Sequence, residues 1–202
     1  MNSVDVWRKL QDVEWAAYKE NPLGIFSIPE APLTGAAKDF IKRMSGGLCL
    51  DIGCGCLKLP GYMDGNEHIK FVGIDPFFGD VKRKFLFAQA IGENLPFRNS
   101  MFDYVLLMTT LDHFIYPILV LSEIRRVLTA AGMLFIVILF SDPNKKNYKE
   151  WIDSKLSCVY DKHHQWAFTK ETFMVLMHAG GFVETSRFSL LKGIEGICLT
   201  VQ

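Results

Sequence analysis

The sequence predicts an α/β fold: a doubly wound, mostly parallel sheet of seven strands, helices on both faces, the last strand antiparallel. Three observations carry this. Leu48-Cys49-Leu50-Asp51-Ile52 is an apolar run holding one carboxylate, and it breaks straight into Gly53-Cys54-Gly55, the pattern of a buried strand turning sharply toward a helix. A second run, Phe71-Val72-Gly73-Ile74, ends in Asp75, twenty residues past Gly55, the spacing of an acidic residue at a second strand tip that takes ribose hydroxyls. From there strand-like and helix-like segments alternate to the C-terminus.

Taken in order, Val4, Trp7, Gln11, Trp15 and Tyr18 recur at helical spacing up to about Lys19, and Asn21-Pro22 closes the segment. Two roles stand open for this amphipathic helix: a lid over a ligand, or an element simply packed onto the domain by its tryptophans. Asn21 to Pro32, rich in proline, reads as a loop. Thr34 is an N-cap for a helix carrying Ala37, Phe40, Ile41 and Met44 to the Gly46-Gly47 stop. After Gly55, Pro60 and Gly61 interrupt the helix expected there, so it is short or irregular. Strands are predicted at Ile69–Ile74, Lys84–Ala90 and Phe102–Met108, with the Gly92–Phe97 stretch as a loop.

Pro117 opens a helix with Ile118, Leu121, Ile124 and Leu128 on one face and Glu123, Arg125 and Arg126 around the other; Ala131-Gly132 ends it. Met133–Phe140 is a central strand, apolar throughout. A loop over Ser141–Asn147, a helix around Tyr148–Leu156, a helix opening at Phe168-Thr169 and ending before Gly180-Gly181, and strands at Phe182–Phe188 and Ile197–Val201 complete the chain. The 202 residues are read as one domain, with 1–33 an N-terminal helix and loop and 141–168 an insertion on the substrate side.

Composition narrows the function. Twenty-two basic residues balance twenty-two acidic ones, so no large basic face is implied and nucleic acid is a poor partner. The longest apolar run, Met133–Phe140, is far shorter than a membrane span, and the first residues lack the basic and apolar parts of a signal peptide. A cytoplasmic protein is expected, and five cysteines, an odd number, fit reduced thiols. Cys54-x-Cys56 lacks the usual zinc spacing and reads as strand-end packing.

The glycine turn also excludes ligands. A dinucleotide site would carry a third glycine where Lys58 stands, and no glycine-rich loop ends in Gly-Lys-Ser or Gly-Lys-Thr. A ligand with a ribose but no pyrophosphate fits better, and S-adenosylmethionine is one: its adenosine needs the acidic contact, its amino-acid end a bare backbone and a carboxylate. Gly53 and Gly55 as a mere tight turn, with Asp51 as a cap, is the alternative.

Leu50-Asp51-Ile52-Gly53-Cys54-Gly55, Gly73-Ile74-Asp75-Pro76, Gly92-Glu93-Asn94-Leu95-Pro96-Phe97, Ser100-Met101-Phe102-Asp103-Tyr104-Val105 and Leu121-Ser122-Glu123-Ile124-Arg125-Arg126-Val127-Leu128, in that order, resemble a class I S-adenosylmethionine-dependent methyltransferase from about Gly47 to Phe140. The resemblance implies a Rossmann-like fold in which Asp51, Gly53 and Gly55 cradle the methionine part of the cofactor. Asp75, with Pro76 beside it, would bind the ribose hydroxyls; Ile91, Gly92 and Glu93 would lie along the adenine; Thr109 would line the methionine end. The chain departs from the family pattern at Leu57, often glycine, and at Ile91, often acidic, which leaves the adenine amine to Glu93 or a backbone carbonyl.

Methyl transfer from a sulfonium is an in-line displacement, so alignment of the acceptor supplies much of the rate, and a base is needed only for an acceptor that holds a proton. Thr109-Thr110-Leu111-Asp112-His113 follows the fourth strand, at the end of the sheet where ligands bind, and offers His113 and Asp112 as acid/base or acceptor contacts; a hydrogen-bonded structural role for His113 is the alternative. His163-His164-Gln165-Trp166 resembles the family's substrate-side insertion, so His163, His164 and Trp166 are candidate acceptor contacts, against a solvated loop with Trp166 tucked into the core. A metal site built from these histidines lacks an identifiable third ligand, so none is expected. Lys145, Lys146 and Lys149 read as a solvated face.

The expected activity is transfer of a methyl group to an O or N atom of a small molecule, with a lean toward a sugar, glycan precursor or secondary metabolite, leaving S-adenosylhomocysteine. The rivals are a non-catalytic partner subunit that keeps the fold, suggested by Leu57 and the Pro60-Gly61 break, and a nucleotide-dependent oxidoreductase, which Lys58 disfavours.

Overall fold

The structure, a computed structural model, describes residues 32–78, 80–141, 164–191 and 193–202, together with 12, 13 and 16. Those last three are helical. The expected lid role, the loop ahead of residue 32, the helix at Tyr148–Leu156, the three lysines and His163 otherwise lie outside the described residues.

Among the described residues, seven strands form one sheet: β1 (Gly47–Ile52), β2 (Ile69–Asp75), β3 (Leu86–Gln89), β4 (Phe102–Met108), β5 (Leu128–Leu139), β6 (Phe182–Leu191) and β7 (Ile194–Val201). Their order is β3-β2-β1-β4-β5-β7-β6. β1 to β5 are parallel, and β7 runs antiparallel to both β5 and β6, as the sequence predicts. The helices α1 (Pro32–Ile41), α2 (Pro117–Val127) and α3 (Lys170–Ala179) cover it.

The two-residue period of the strands splits the core into two layers. Leu50 and Ile52 of β1, Val105 and Leu107 of β4, and Leu134, Ile136 and Ile138 of β5 share one layer with Val120, Leu121 and Ile124 of α2 and Phe173 and Met177 of α3. Cys49, Leu106, Met108, Phe135 and Val137 belong to the other, with Leu33, Ala37 and Ile41 of α1. Phe40 stacks on Phe135 with ring centroids 3.8 Å apart, fixing α1 to β5. Among the described residues no helix is long and apolar enough to cross a membrane.

Several boundaries differ from the sequence reading, each for a local reason. Pro32 begins α1 instead of closing a loop, a position where its missing N–H costs nothing. Thr34 therefore sits inside the first turn, buried, with its Oγ1 lacking a hydrogen-bond partner, and is no N-cap. No helix follows the glycine turn. Main-chain bonds from Met63 to Pro60, Asn66 to Met63 and Ile69 to Asn66 make a string of turns instead. β5 starts at Leu128, where α2 ends, because Leu128 pairs with Phe102 while the next register pair is Tyr104 with Met133, so residues 129–132 bulge out of the ladder. Asp103 accepts from the Leu48 N–H at 2.9 Å and ties the start of β4 to β1.

Candidate active site

In the sheet order, β1 and β4 are neighbours whose connections leave in opposite directions, and the crevice beyond their C-terminal ends is where such sheets bind ligands. The residues marked by the sequence collect there. Gly53 and Gly55 take φ of 78° and 68°, a region that costs glycine nothing, and the N–H groups of Gly53 and Cys54 both donate to the Ile74 carbonyl at 2.8 and 3.1 Å. A Cβ on Gly53 would collide with Thr110 Cγ2, so the β1 turn packs directly against the segment after β4. Thr110 Oγ1 donates to the Ile52 carbonyl at 3.1 Å.

Asp75 closes the turn from the other side. Its Oδ2 accepts from Gly55 N at 2.8 Å and its Oδ1 from Phe77 N at 2.9 Å. Gln89 Nε2 donates to the carbonyl of Pro76 at 2.7 Å. Arg83, which the sequence reading passed over, is the lock on this assembly: it donates to the carbonyls of Gly55 at 3.0 Å and Phe78 at 2.6 Å and lies 3.6 Å over the Phe87 ring. One basic residue between two lysines carries no signal that could have singled it out.

Asp51 is fully buried. Its Oδ2 accepts from the Tyr62 hydroxyl at 2.6 Å, while its Oδ1 is buried without a hydrogen-bond partner. Burial raises this carboxyl to about 7, the Tyr62 hydrogen bond pulls it down, and the nearby charge of Asp75 pushes it up again. A buried acceptor atom with nothing to accept is costly, and a cationic amino group satisfies it. Thr109, at the end of β4, has φ of 59°, a strained value for a β-branched residue, and its Oγ1 turns back onto the Met108 carbonyl at 2.7 Å.

The next loop is held from behind. Ile91 and Asn94 form an isolated bridge, and a Cβ on Gly92 would come within 2.8 Å of the Phe114 ring and 3.2 Å of Val120. Glu93 turns its Oε1 onto the N–H groups of Ile115 and Tyr116, at 3.1 and 3.3 Å, in front of α2. Glu123 and Arg126, on the helix face opposite the apolar one, clamp this loop. Glu123 Oε2 accepts from Leu95 N at 2.8 Å, and Arg126 donates to the carbonyls of Phe97 and Leu95 at 2.7 and 3.0 Å. The hydrogen bond from Arg126 is the main reason the Glu123 carboxyl sits below its ordinary range. Removing the clamp with Arg126→Ala is expected to cost about 2 kcal/mol of stability, since bonds from a charged donor contribute roughly 1.5–3 kcal/mol and this one is partly solvated. A lower urea midpoint at unchanged slope is the readout.

The third group of predicted residues also converges. The 3₁₀ turn Leu111–His113 follows Thr110. Its Asp112 carbonyl accepts from the N–H groups of both Gln165 and Trp166, at 2.7 and 3.1 Å, which brings His164 back beside it. His164 Nε2 lies 3.6 Å from Asp112 Oδ2, His113 Nε2 lies 3.9 Å from Asp112 Oδ1, and the two imidazole rings are 4.7 Å apart. Trp166 is not in the core: it is 44% exposed, donates its Nε1 to the Phe114 carbonyl at 2.8 Å and stacks on Phe168. The expectation of no metal rests on a missing third ligand; Asp112 is within reach of both histidines.

Residues 50–136 match the family model of the methyltransferase domain. No curated protein sequence matches the chain. Among solved structures, an S-adenosylmethionine-dependent methyltransferase of Thermotoga maritima is 22% identical over 92% of this chain and 97% of its own, with a TM-score of 0.70. The 1,6-didemethyltoxoflavin-N1-methyltransferase of Burkholderia thailandensis, solved with that compound and S-adenosylhomocysteine, is 14% identical over 100% and 92%, with a TM-score of 0.75. A geranyl diphosphate methyltransferase in complex with S-adenosylmethionine is 13% identical over 84% and 85%, with a TM-score of 0.65. The match to the methyltransferase domain thus falls on the strands and the glycine turn that face Asp75, and the chain as a whole shares the fold of these methyltransferases.

Proposed function

We propose that the chain, acting as one domain, binds S-adenosylmethionine as its cofactor in this cleft and transfers the methyl group to an O or N atom of a small molecule held against His113. The observation that supports this most is the gathering of Asp112, His113 and His164 one short turn beyond Thr110, which touches the glycine turn, and next to Phe114, which touches Gly92. The acceptor contacts thus adjoin both ends of the cofactor cleft. Bound there, the cofactor supplies an electrophilic methyl on a sulfonium.

The residues of the chain do the rest. Asp75 takes the ribose hydroxyls next to Pro76, Asp51 receives the amino group, and the main chain of Ile91, Gly92 and Glu93 borders the adenine, since the Glu93 Oε1 is engaged in front of α2. Thr109 lines the methionine end. His113 hydrogen-bonds the acceptor atom and takes its proton where it holds one, with Asp112 orienting the ring, and His164 and Trp166 border the acceptor. Four free cysteines among the described residues support a reducing, cytoplasmic setting.

The test is label transfer from S-[methyl-³H]adenosylmethionine into the small-molecule fraction of a cell extract. His113→Ala should slow turnover by roughly 10²- to 10⁴-fold, the range for losing a general acid–base group, while leaving S-adenosylhomocysteine affinity within about twofold. Label appearing only in macromolecules, or an undiminished rate in the variant, rejects the reading.

A further inference from the structure

We propose that Asp112, His113 and His164 form a binding site for a first-row divalent transition-metal cation, of the Zn²⁺ or Fe²⁺ type, in the space assigned above to the methyl acceptor. The inference rests on that assignment only for its role, since the three side chains and their main-chain scaffold stand without it.

Two imidazoles and one carboxylate from two chain segments make up the ligand set of open metal sites, in which three protein ligands leave further positions for water or substrate. Each of the three offers a donor atom, and these atoms lie within 4.8 Å of one another. Two ligands at about 2.1 Å from a shared zinc ion in tetrahedral geometry are roughly 3.4 Å apart. Asp112 Oδ2 and His164 Nε2 stand at 3.6 Å, close to that separation. Asp112 Oδ1 and His113 Nε2 stand at 3.9 Å, a gap that a small rotation of the 31% exposed His113 side chain would close.

The scaffold holds this geometry. His164 lies far beyond His113 in the chain, yet Gln165 N and Trp166 N both bond to the Asp112 carbonyl, Trp166 Nε1 bonds to the Phe114 carbonyl, and Ser141 N bonds to the Phe168 carbonyl at 2.8 Å. The Asp112 side chain is 11% exposed and that of His164 17%, so the cation would have a sheltered side, with His113 on the open side. The imidazoles favour zinc, iron, cobalt or nickel over magnesium or calcium, which prefer all-oxygen ligands. A cation here would hold an acceptor oxygen or nitrogen and lower its pKa, the proton leaving to water instead of to His113.

The experiment uses the full chain stripped with a chelator and titrated with Co²⁺ and Zn²⁺ alone, with neither cofactor nor acceptor present. One cation per chain is expected, with micromolar or tighter affinity and visible Co²⁺ bands of an imidazole–carboxylate site. His164→Ala and Asp112→Asn should each weaken binding at least about 10-fold, in keeping with loss of one ligand of three. S-adenosylhomocysteine affinity, measured in the same samples, certifies that the variants are folded, and His164→Gln is the second variant if His164→Ala is not. Absence of one-to-one binding, or equal affinity in the folded variants, overturns the proposal. Metal-free protein that transfers methyl at full rate and binds no Co²⁺ overturns it while leaving the methyltransferase reading intact. Cation binding without any methyl transfer upholds the site and rejects the acceptor assignment.

Discussion

Asp75→Ala is expected to abolish cofactor binding. In the protein both carboxylate oxygens of Asp75 are held in place by main-chain N–H groups of Gly55 and Phe77, so the side chain is set rigidly at the tip of β2 before any ligand arrives. Two hydrogen bonds from ribose hydroxyls to a charged acceptor contribute about 1.5–3 kcal/mol each, and the sum corresponds to at least about 100-fold in affinity. The variant also frees the Gly55 N–H, so part of the loss comes from a looser glycine turn. Asp75→Asn separates the two effects: its carbonyl oxygen keeps one main-chain bond, while its amide places a donor against a ribose hydroxyl and removes the charge. Calorimetry with S-adenosylhomocysteine reads both variants, and an unchanged dissociation constant in Asp75→Ala would sink the ribose role.

Asp51→Asn is expected to stabilise the cofactor-free protein above neutral pH while weakening cofactor binding. The sign follows from the direction of the shift. Burial holds the folded-state carboxyl at about 7 against an ordinary value of 3.8, so the folded state binds more protons than the unfolded one between these two values. The contribution of this group to stability is therefore fully present below the unfolded value and is lost as pH rises through about 7; at 1.36 kcal/mol per unit it is of order 4 kcal/mol at most. Asparagine has no charge to desolvate, so this loss disappears.

Besides burial, Tyr62 and Asp75 are the groups that shift Asp51, and neither is cationic, so neither stands in for an arriving ammonium. Binding the amino group of S-adenosylhomocysteine pairs it with the ionised carboxylate and releases a proton below pH 7. Wild-type affinity should accordingly fall about tenfold per pH unit on the acid side, and the Asp51→Asn affinity should be lower and flat. Calorimetry in two buffers of different ionisation enthalpy counts the proton. A pH-independent wild-type affinity between about pH 5 and pH 8 contradicts the pairing.

Much of the cofactor cleft is readable in the chain because its parts are local. Strand, glycine turn and strand-tip carboxylate are patterns of hydrophobic period, positive φ and spacing, and β1, β2 and Asp75 lie where those patterns put them. The closing antiparallel strand is legible for the same reason, as two apolar runs after a Gly-Gly stop. Motif order is enough to point to the proposed cofactor, because the fold builds that cleft from consecutive β–α units.

What the fold alone decided are contacts between residues far apart in sequence, where no local period operates. Tyr62 reaches back to Asp51 across eleven residues and leaves one oxygen unpaired. Arg126, in a helix that reads as merely amphipathic, reaches 29 residues back to Phe97, and Arg83 fastens Gly55 through a long, flexible side chain. The same holds for the acceptor side. Asp112 and His113 are visible in the sequence as candidates, yet their union with His164 depends on two main-chain bonds to the Asp112 carbonyl from Gln165 and Trp166, in a segment far along the chain. A chain carries its strand periods and turns in its own residues, whereas side-chain chemistry gathered from distant loops exists only once packing has closed the distance.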